Sequence, residues 1–336
     1  MIDEALLDVV SAHAGARQAF AQRPTPMTGG YWAAIYSFEL AQPPDDLRGS
    51  LVVRVMPRTG AAVVETIVQR TVASQGYPTP RVVMDGYDEA LGGAFMVMER
   101  VDGVALLEEL GIGRTLWGLP KTVRRVASQL SVAAVQLHDL DPQPVVDALE
   151  TAGVDIASLG VARRIDEIRA AAETSLAGFD ELLSWLDRAR PSLTPSVVCH
   201  GDIHPFNMLM TSDGSFNLLD WTNANLCRRE LDVGFTAALL QCAPIAVPSP
   251  ARKPLAAFTG ALARRFIDSY RRIAPINLDV VEWFEVLQYG RCVAAVATTP
   301  TADTIIGANH PFRVTAPAMI RQLRIITGVQ ITLPVP

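Results

Sequence analysis

The alternation of apolar and polar positions divides the chain into a strand-rich first third and a helix-rich remainder. Residues 1 to about 20 place their apolar side chains on one helical face, which predicts a helix. Apolar and β-branched runs at 31–40, 51–56 and 94–98 predict strands. A helix is expected over 61–74, because a glycine and two prolines follow it closely.

Helical periodicity dominates after a break at Asp102-Gly103. Apolar residues recur at intervals of three and four between 123 and 137, as they do on one face of a helix. Similar stretches predict helices near 162–188, 255–273 and 278–298.

Strands followed by helices are typical of an α+β protein, in which the two kinds of element form separate layers. We therefore expect two lobes joined by a short hinge. The small sheet lobe spans 1–98, the hinge 99–103 and the mainly helical lobe 104–336.

The segment 197–232 concentrates polar side chains that suit catalysis. Its Asp-Gly pair at 213–214 predicts a two-residue hairpin turn, since both residue types tolerate a positive φ. That register places Asn207 opposite Asp220, and Asp202 precedes Asn207 by five residues. Carboxylates and an amide are suitable ligands for Mg²⁺, and a carboxylate that binds no metal can take a proton from a hydroxyl. Phosphoryl transfer needs both of these functions.

The same segment contains His-Gly-Asp-Ile-His-Pro-Phe-Asn, followed a dozen residues later by Asp-Trp. This pattern resembles the H-G-D-x-H-x-x-N and D-W motifs of the aminoglycoside phosphotransferase and choline kinase-like family of small-molecule kinases. The matching residues are His200, Gly201, Asp202, His204, Asn207, Asp220 and Trp221. The resemblance implies a protein-kinase-like two-lobe fold with a small β-sheet lobe and a mainly helical lobe. It also implies an Mg²⁺-dependent enzyme that transfers a phosphoryl group from ATP or GTP to a hydroxyl of a small molecule.

The resemblance also implies a role for each motif position. Asp202 resembles the catalytic base that orients the acceptor hydroxyl, and Asn207 and Asp220 resemble the Mg²⁺ ligands. His200 is similar to the residue that braces the catalytic loop. Asp232 resembles a later aspartate that holds this loop from the following helix.

The first third of the chain carries weaker similarities to the nucleotide-binding half of the same family. Gly29 and Gly30 resemble the loop that covers the phosphates. Glu65 resembles the helix glutamate that pairs with the phosphate-binding base. Glu99 and Val101 resemble the hinge whose backbone holds the adenine.

One position departs from the family pattern. In the family this strand position normally holds a phosphate-binding lysine, whereas in this chain it holds Arg54. The first 120 residues contain no lysine that could replace it. Arginine keeps the charge but has a planar, forked shape, so we expect Arg54 to bind the phosphates in place of the lysine.

Composition narrows the classes of partner. With 29 basic and 35 acidic residues the formal net charge is −6, which argues against a nucleic-acid partner. No apolar run is long enough to span a membrane, and the four cysteines are widely spaced. We therefore expect a cytoplasmic protein, a monomer or a homodimer, that binds a small hydroxylated substrate.

Other interpretations stay open. A nucleotide-binding regulatory protein with weak or lost catalysis would have the same fold. His200, Asp202 and His204 alternate, which also fits the zinc cluster of a metallohydrolase. His13, His138 and His310 are expected at helix ends or on the surface, and Trp221 is expected to pack against a strand end.

The acceptor is not identified by the sequence. The resemblance allows an aminoglycoside, a macrolide, a choline-like amine, a sugar or a hydroxy acid. Acidic residues of the helical part either meet a cationic substrate or form a solvated helix face; they include Asp166, Glu167, Glu282 and Glu285.

Overall fold

The protein is described by a computed structural model that covers residues 2–27, 33–56, 59–106, 119–174, 177–194, 197–245, 249–299 and 310–333. These residues form an antiparallel sheet early in the chain and a mostly helical remainder, so the predicted α+β class is confirmed. Contacts within the chain divide it into two compact units. The first unit contains Met1–Ala105, Gln143–Val154 and Met208–Ala224, and the second contains Leu106–Pro142, Asp155–Asn207 and Asn225–Pro336. The lobe boundaries expected from the sequence stay a prediction.

The strands of the described residues are β1 (Phe20–Pro26), β2 (Ala34–Leu40), β3 (Ser50–Met56), β4 (Val82–Asp88), β5 (Gly93–Glu99), β6 (Val104–Ala105), β7 (Val197–Cys199), β8 (Met208–Met210), β9 (Phe216–Leu218) and β10 (Asn225–Cys227). The α-helices are α1 (Ile2–Ala14), α2 (Thr59–Ser74), α3 (Leu119–His138), α4 (Gln143–Thr151), α5 (Ile156–Leu159), α6 (Val161–Ala172), α7 (Phe179–Arg188), α8 (Glu230–Gln241), α9 (Arg252–Arg271), α10 (Leu278–Thr298) and α11 (Pro311–Thr327).

The first unit is built around an antiparallel sheet with the strand order β1-β2-β3-β5-β4. Strand β3 is buried on both faces: Leu51, Val53 and Val55 pack in a cluster with α1, and Val52 and Met56 pack in a second cluster with α2. Because successive side chains of a strand point to opposite faces, Arg54 lies on the α2 face. It is a charged residue in an apolar strand and only 6% exposed.

The hairpin of β8 and β9 differs from the prediction. Met210 lies opposite Phe216, and the Thr211 N–H donates to the Ser215 carbonyl across a three-residue loop. Gly214 takes the left-handed position of this loop with a φ of +84°. A three-residue loop with glycine in this position shifts the register by one residue relative to a two-residue turn. The predicted turn is therefore wrong, and so is the register that placed Asn207 opposite Asp220.

Three other predicted features need correction. Helix α1 ends earlier than expected because Gly15 has a φ of +64°, and the helix expected over 162–188 is two helices, with Gly178 at a φ of +97° before the second. The sequence pattern does not predict the edge strands β1 and β4; β1 is largely exposed, and β4 buries Val82 and Met84 but exposes its residues 85–87. Exposed edge strands lack the apolar alternation on which such predictions rest.

Helix α10 lies at the centre of the second unit and packs against α6, α8 and α11. It matches the predicted helix at 278–298 and is buried around most of its circumference, with Trp283 and Phe284 in the core. Gly234 lets α8 approach it closely, since a Cβ atom there would lie 2.6 Å from both Phe284 Cβ and the Val281 carbonyl oxygen. None of the described helices is long and apolar enough to cross a membrane.

Two helical glycines test this close approach. For Gly260 in α9, the atoms nearest to an added Cβ are side-chain atoms of Gln241 and Arg264, at 3.4–3.5 Å. We expect Gly260→Ala to leave the free energy of unfolding unchanged or raise it by up to about 1 kcal/mol, since alanine favours helices. Gly234→Ala should instead lower it by about 1–3 kcal/mol through overpacking. Urea-induced unfolding measures both, and equal effects would contradict the predicted packing.

Candidate active site

In the second unit, the loop that follows β7 is held by one buried carboxylate. Asp232, in the first turn of α8, accepts hydrogen bonds from the backbone N–H groups of His200 at 2.9 Å and Gly201 at 2.6 Å. The Nε2 atom of His138 lies 3.0 Å from the same carboxylate. Asp232 and His200 are both fully buried. The position of Asp232 therefore fixes the start of the His-Gly-Asp loop.

Asp232 is ionised although it is buried. Burial alone would raise the pKa of Asp232, but the hydrogen bonds around it, first of all the one with His138, lower the pKa below its usual range. The Nδ1 atom of His138 lies 2.7 Å from the Tyr270 hydroxyl. With Nε2 donating to Asp232, the hydroxyl donates to Nδ1, which gives His138 one tautomer.

The loop also makes internal hydrogen bonds that fix its polar side chains. The Asp202 N–H donates to Nδ1 of His200 at 3.2 Å, and Nδ2 of Asn207 donates to the Asp202 carbonyl at 3.0 Å. The Thr236 hydroxyl of α8 donates to the Ile203 carbonyl at 2.8 Å. With its nitrogen engaged, the Asn207 amide presents its oxygen away from the Asp202 carbonyl, in the manner that suits an oxygen-preferring cation.

The metallohydrolase interpretation requires a metal-binding cluster of His200, Asp202 and His204. The loop does not bring these three residues together as such a cluster. One ring nitrogen of His200 accepts from Asp202, and one of His204 accepts from the Phe206 N–H at 3.2 Å. The His204 Nε2 atom lies 3.7 Å from the Asp202 carboxylate. Among the described residues, the three His, Cys and Asp groups whose ligand atoms lie within 4.8 Å of one another are instead the buried His138, Cys199 and Asp232.

The first unit contains a second cluster of charges. Arg54 of β3 donates through Nη1 to Glu65 Oε1 of α2 at 2.5 Å, and both side chains are buried. The Nη2 atom of Arg54 lies 3.5 Å from Asp220 Oδ1. Arg54 and Glu65 are thus paired with each other, as the family resemblance implies for the base and the helix glutamate.

Thr222 lies among these charges. Its hydroxyl oxygen is 2.6 Å from Asp220 Oδ1, 3.0 Å from Glu65 Oε2 and 3.4 Å from Arg54 Nη2. Its N–H also donates to Asp220 Oδ1 at 3.4 Å. Asp220 has a φ of +65°, and it is the one non-glycine residue with a positive φ in the described part of the chain.

The electrostatics of this cluster suit both a phosphate and a cation. Burial raises the pKa of Glu65 to about 7 against the opposing charge of Arg54. Burial lowers the pKa of Arg54, but Glu65 and Asp220 outweigh it and raise the pKa above the usual value. Arg54 Nε is buried without a hydrogen-bond partner among the described residues, and a phosphate oxygen would satisfy this donor. The carboxylate of Asp220, 3.5 Å from Arg54 Nη2, is the kind of oxygen ligand that a hard cation takes.

Two further groups of residues were predicted to contact the nucleotide: Glu99 with Val101, and Gly29 with Gly30. Glu99 ends β5, where its N–H donates to the Arg81 carbonyl, and Val101 follows shortly after the strand. Gly29 and Gly30 lie outside the described residues.

Trp221 packs as predicted. Its ring is fully buried, its Nε1–H donates to the Thr79 hydroxyl at 2.9 Å, and its ring meets Tyr77 edge-on at 5.7 Å. Thr79 in turn donates to the Leu218 carbonyl at the end of β9. The chain on both sides of Asp220 is therefore anchored.

The acidic residues of the second unit have unlike surroundings. Asp166 and Glu282 are exposed, and Glu167 contacts Arg163 at 3.6 Å, as on a solvated helix face. Glu285 is only partly accessible, and burial together with the charge of Glu282 raises its pKa to about 8.

Several site residues were missed by the sequence analysis. His138 does end a helix, as expected, but it is buried against Asp232 and Tyr270. Thr222 directly follows the Asp-Trp motif, and this proximity was the one feature of the sequence that could have indicated it as a site residue. No local pattern pointed to Tyr270, which reaches His138 from a position 132 residues further along the chain.

Part of the chain is similar in sequence to two curated proteins. The chain is 36% identical over 146 residues to an aminoglycoside 3'-phosphotransferase of Streptomyces fradiae, covering 40% of this chain and 47% of the relative. It is 33% identical over 149 residues to the enzyme of the same name from Streptomyces ribosidificus, covering 41% and 49%. The chain thus spans about half the length of the curated relatives it matches.

Solved structures match over nearly the whole chain at low identity. A candidate aminoglycoside phosphotransferase from Ralstonia eutropha has a TM-score of 0.62 at 16% identity, covering 97% of this chain and 98% of its own. A thermostable mutant of the aminoglycoside phosphotransferase APH(4)-Ia, in a ternary complex with AMP-PNP and hygromycin B, has a TM-score of 0.56 at 14% identity, covering 95% and 98%. These likenesses confirm the protein-kinase-like fold. The model of the phosphotransferase enzyme family matches residues 44–276, which is more than half of the chain, and the chain belongs to that family.

Proposed function

We propose that this protein is a Mg²⁺-dependent kinase that transfers the terminal phosphoryl group of ATP or GTP to a hydroxyl of a small molecule. The observation that carries this proposal is the buried Arg54–Glu65 pair, whose guanidinium also reaches Asp220. Phosphoryl transfer depends on positioning and on stabilising charge, and a basic group beside a metal-binding carboxylate serves both purposes.

Each unit supplies a different part of the proposed machinery. In the first unit, Arg54 binds the phosphates and Asp220 holds the metal, while Gly29 and Gly30 cover the phosphates and the backbone of Glu99 and Val101 holds the base. The metal, when bound, neutralises charge on the phosphates.

In the second unit, Asp202 orients the acceptor hydroxyl and takes its proton, and Asn207 is the other metal ligand. His200 braces the loop and Asp232 holds it in place, which their hydrogen bonds support. A base on a fixed loop needs no rearrangement when the acceptor binds, which favours the reaction.

The relatives support this assignment of donor and acceptor class. Two aminoglycoside 3'-phosphotransferases are related to the chain, and the APH(4)-Ia mutant of the same fold binds AMP-PNP and hygromycin B. A hydroxylated small molecule is therefore the expected acceptor, and ATP the donor to test first.

One of the two alternatives loses support from particular contacts. The zinc interpretation needs a ring nitrogen with a free lone pair on both His200 and His204. The Nδ1 atom of each ring accepts a backbone N–H, so in the neutral ring the proton lies on Nε2. A nucleotide-binding protein without catalysis would keep the Arg54–Glu65 pair, so only turnover distinguishes it from the kinase.

Thermal unfolding with nucleotides tests the proposal. A nucleotide at one hundred times its Kd stabilises the folded state by about 2.7 kcal/mol, which for a chain of this size is a rise in Tm of a few degrees. We expect this rise with Mg·ATP or Mg·GTP, a smaller one without Mg²⁺, and release of ADP or GDP when hydroxylated acceptors are added. The absence of any rise with either nucleotide would overturn the proposal, and binding without turnover would support the regulatory alternative.

Substitutions of two aspartates separate binding from chemistry. We expect Asp202→Ala to lower turnover by about 10² to 10⁴-fold, the range typical of a lost catalytic base, with nucleotide binding unchanged. Asp220→Ala should weaken both turnover and Mg²⁺-dependent nucleotide binding. Asp213→Ala, at the exposed hairpin tip, is the matched control and should change neither. Near-normal turnover of the Asp202 variant would contradict the assigned role.

The protonated state of Glu285 predicts a pH dependence of stability. Its pKa of about 8 in the folded protein exceeds the ordinary value of 4.5, so the folded state holds the proton more tightly than the unfolded state. The free energy of unfolding should therefore fall between pH 5 and 8, at about 1.4 kcal/mol per unit of pKa difference. Glu285→Gln should remove this part of the fall. Urea unfolding of both proteins at pH 5, 6, 7 and 8 measures it, and parallel profiles would show that Glu285 is ionised.

A further inference from the structure

We propose that Thr222 is a positioning residue for Asp220: its hydroxyl joins the Asp220 carboxylate to the Arg54–Glu65 pair and thereby sets the orientation in which Asp220 holds a metal ion. The inference rests on the proposed function, because it concerns the same metal and nucleotide. It assigns a task to a residue that lies outside the motifs identified in the sequence.

The geometry places Thr222 where three elements meet within the first unit. Its hydroxyl contacts Arg54 of β3, Glu65 of α2 and Asp220, which precedes the short 3₁₀ turn Trp221–Asn223. Of its contacts the one to Asp220 Oδ1 is the shortest, at 2.6 Å, as expected for a hydroxyl that donates to a carboxylate.

Both donors of Thr222 act on one oxygen atom. The hydroxyl and the backbone N–H of Thr222 both donate to Oδ1 of Asp220, so the carboxylate caps the 3₁₀ turn. Two donors on the same oxygen restrict the rotation of the carboxylate plane. A metal ligand whose rotation is restricted in advance loses less conformational freedom on binding.

Asp220 also adopts an uncommon backbone conformation, with a φ of +65°. This left-handed region costs most residues about 1–2 kcal/mol, and aspartate reaches it because its side chain can hydrogen-bond locally. The buried Trp221 anchors the chain after Asp220, whereas on the carboxylate itself Thr222 supplies two donors and Arg54 Nη2 lies 3.5 Å away. Removal of the hydroxyl should therefore disturb the metal ligand more than the fold.

The test uses three substitutions at buried or partly buried threonines. Thr222→Val keeps the shape but loses the hydroxyl, and Thr222→Ser keeps the hydroxyl. Thr66→Val is the matched control, since Thr66 is buried beside Glu65 on α2 and its hydroxyl contacts the Met96 sulfur rather than a carboxylate. Calorimetric titration with AMP-PNP, with and without Mg²⁺, measures binding, and urea unfolding checks that each variant folds. Thr222→Ala replaces the valine variant if that variant does not fold.

We expect Thr222→Val to weaken Mg²⁺-dependent AMP-PNP binding by about tenfold, the effect of losing one hydrogen bond to a charged group. Its binding without Mg²⁺ should stay within about twofold of the parent protein, because Arg54 and Glu65 are retained. Thr222→Ser and Thr66→Val should keep the full effect of Mg²⁺. A merely structural role would lower both kinds of binding together.

The possible failures have different meanings. If the parent protein binds AMP-PNP with Mg²⁺ and Thr222→Val binds it equally well, the inference is overturned and the proposed function stands. The inference is also overturned if Thr222→Ser loses the Mg²⁺ effect as fully as Thr222→Val. If neither AMP-PNP nor a GTP analogue binds to the parent protein with Mg²⁺, both the proposed function and the inference are overturned.

Discussion

The fully buried carboxylate of Asp232 is the constraint on which the geometry of the second unit's loop depends. Burying a charge is costly unless donors compensate it, and here two backbone N–H groups and His138 do so. The compensation is mutual, because the N–H groups of His200 and Gly201 would themselves be buried without partners. Helix α3, the loop after β7 and helix α8 are consequently joined at one carboxylate, and Tyr270 adds α9 through His138.

Sequence and structure agree where the determining contacts are local. The helix at 278–298 follows from periodicity, and the His-Gly-Asp segment follows from its spacing, because neighbouring residues fix both. The hairpin register does not follow, since an Asp-Gly pair fits a two-residue turn and also the end of a three-residue loop. Tyr270 and the burial of His138 depend on contacts across 132 residues, which no local pattern carries. The sequence shows that an arginine occupies position 54, but it does not show how close Arg54 lies to Asp220.

Arginine at position 54 changes the arrangement of charges around it, beyond keeping the positive sign. An ammonium group is a compact point charge, whereas a guanidinium has donors on several edges. In this protein Nη1 of Arg54 donates to Glu65, while Nη2 lies near Thr222 and Asp220. One guanidinium therefore contacts two carboxylates that lie on different sides of it. The buried Nε donor still needs a partner outside the contacts described. An oxyanion that approached this edge would be bound by a fork of donors, which a lysine does not offer.

Members of one fold family differ in their acceptors, so the fold by itself does not select a substrate. In this chain the loop motif is intact, and the departure lies on the nucleotide side, at Arg54. An intact loop with an arginine at the position proposed to bind the phosphates is what we expect if the chemistry is retained and the neighbouring contacts have adjusted to a larger cation. Thr222 fits that view, because its hydroxyl lies between two carboxylates that a wide guanidinium holds together.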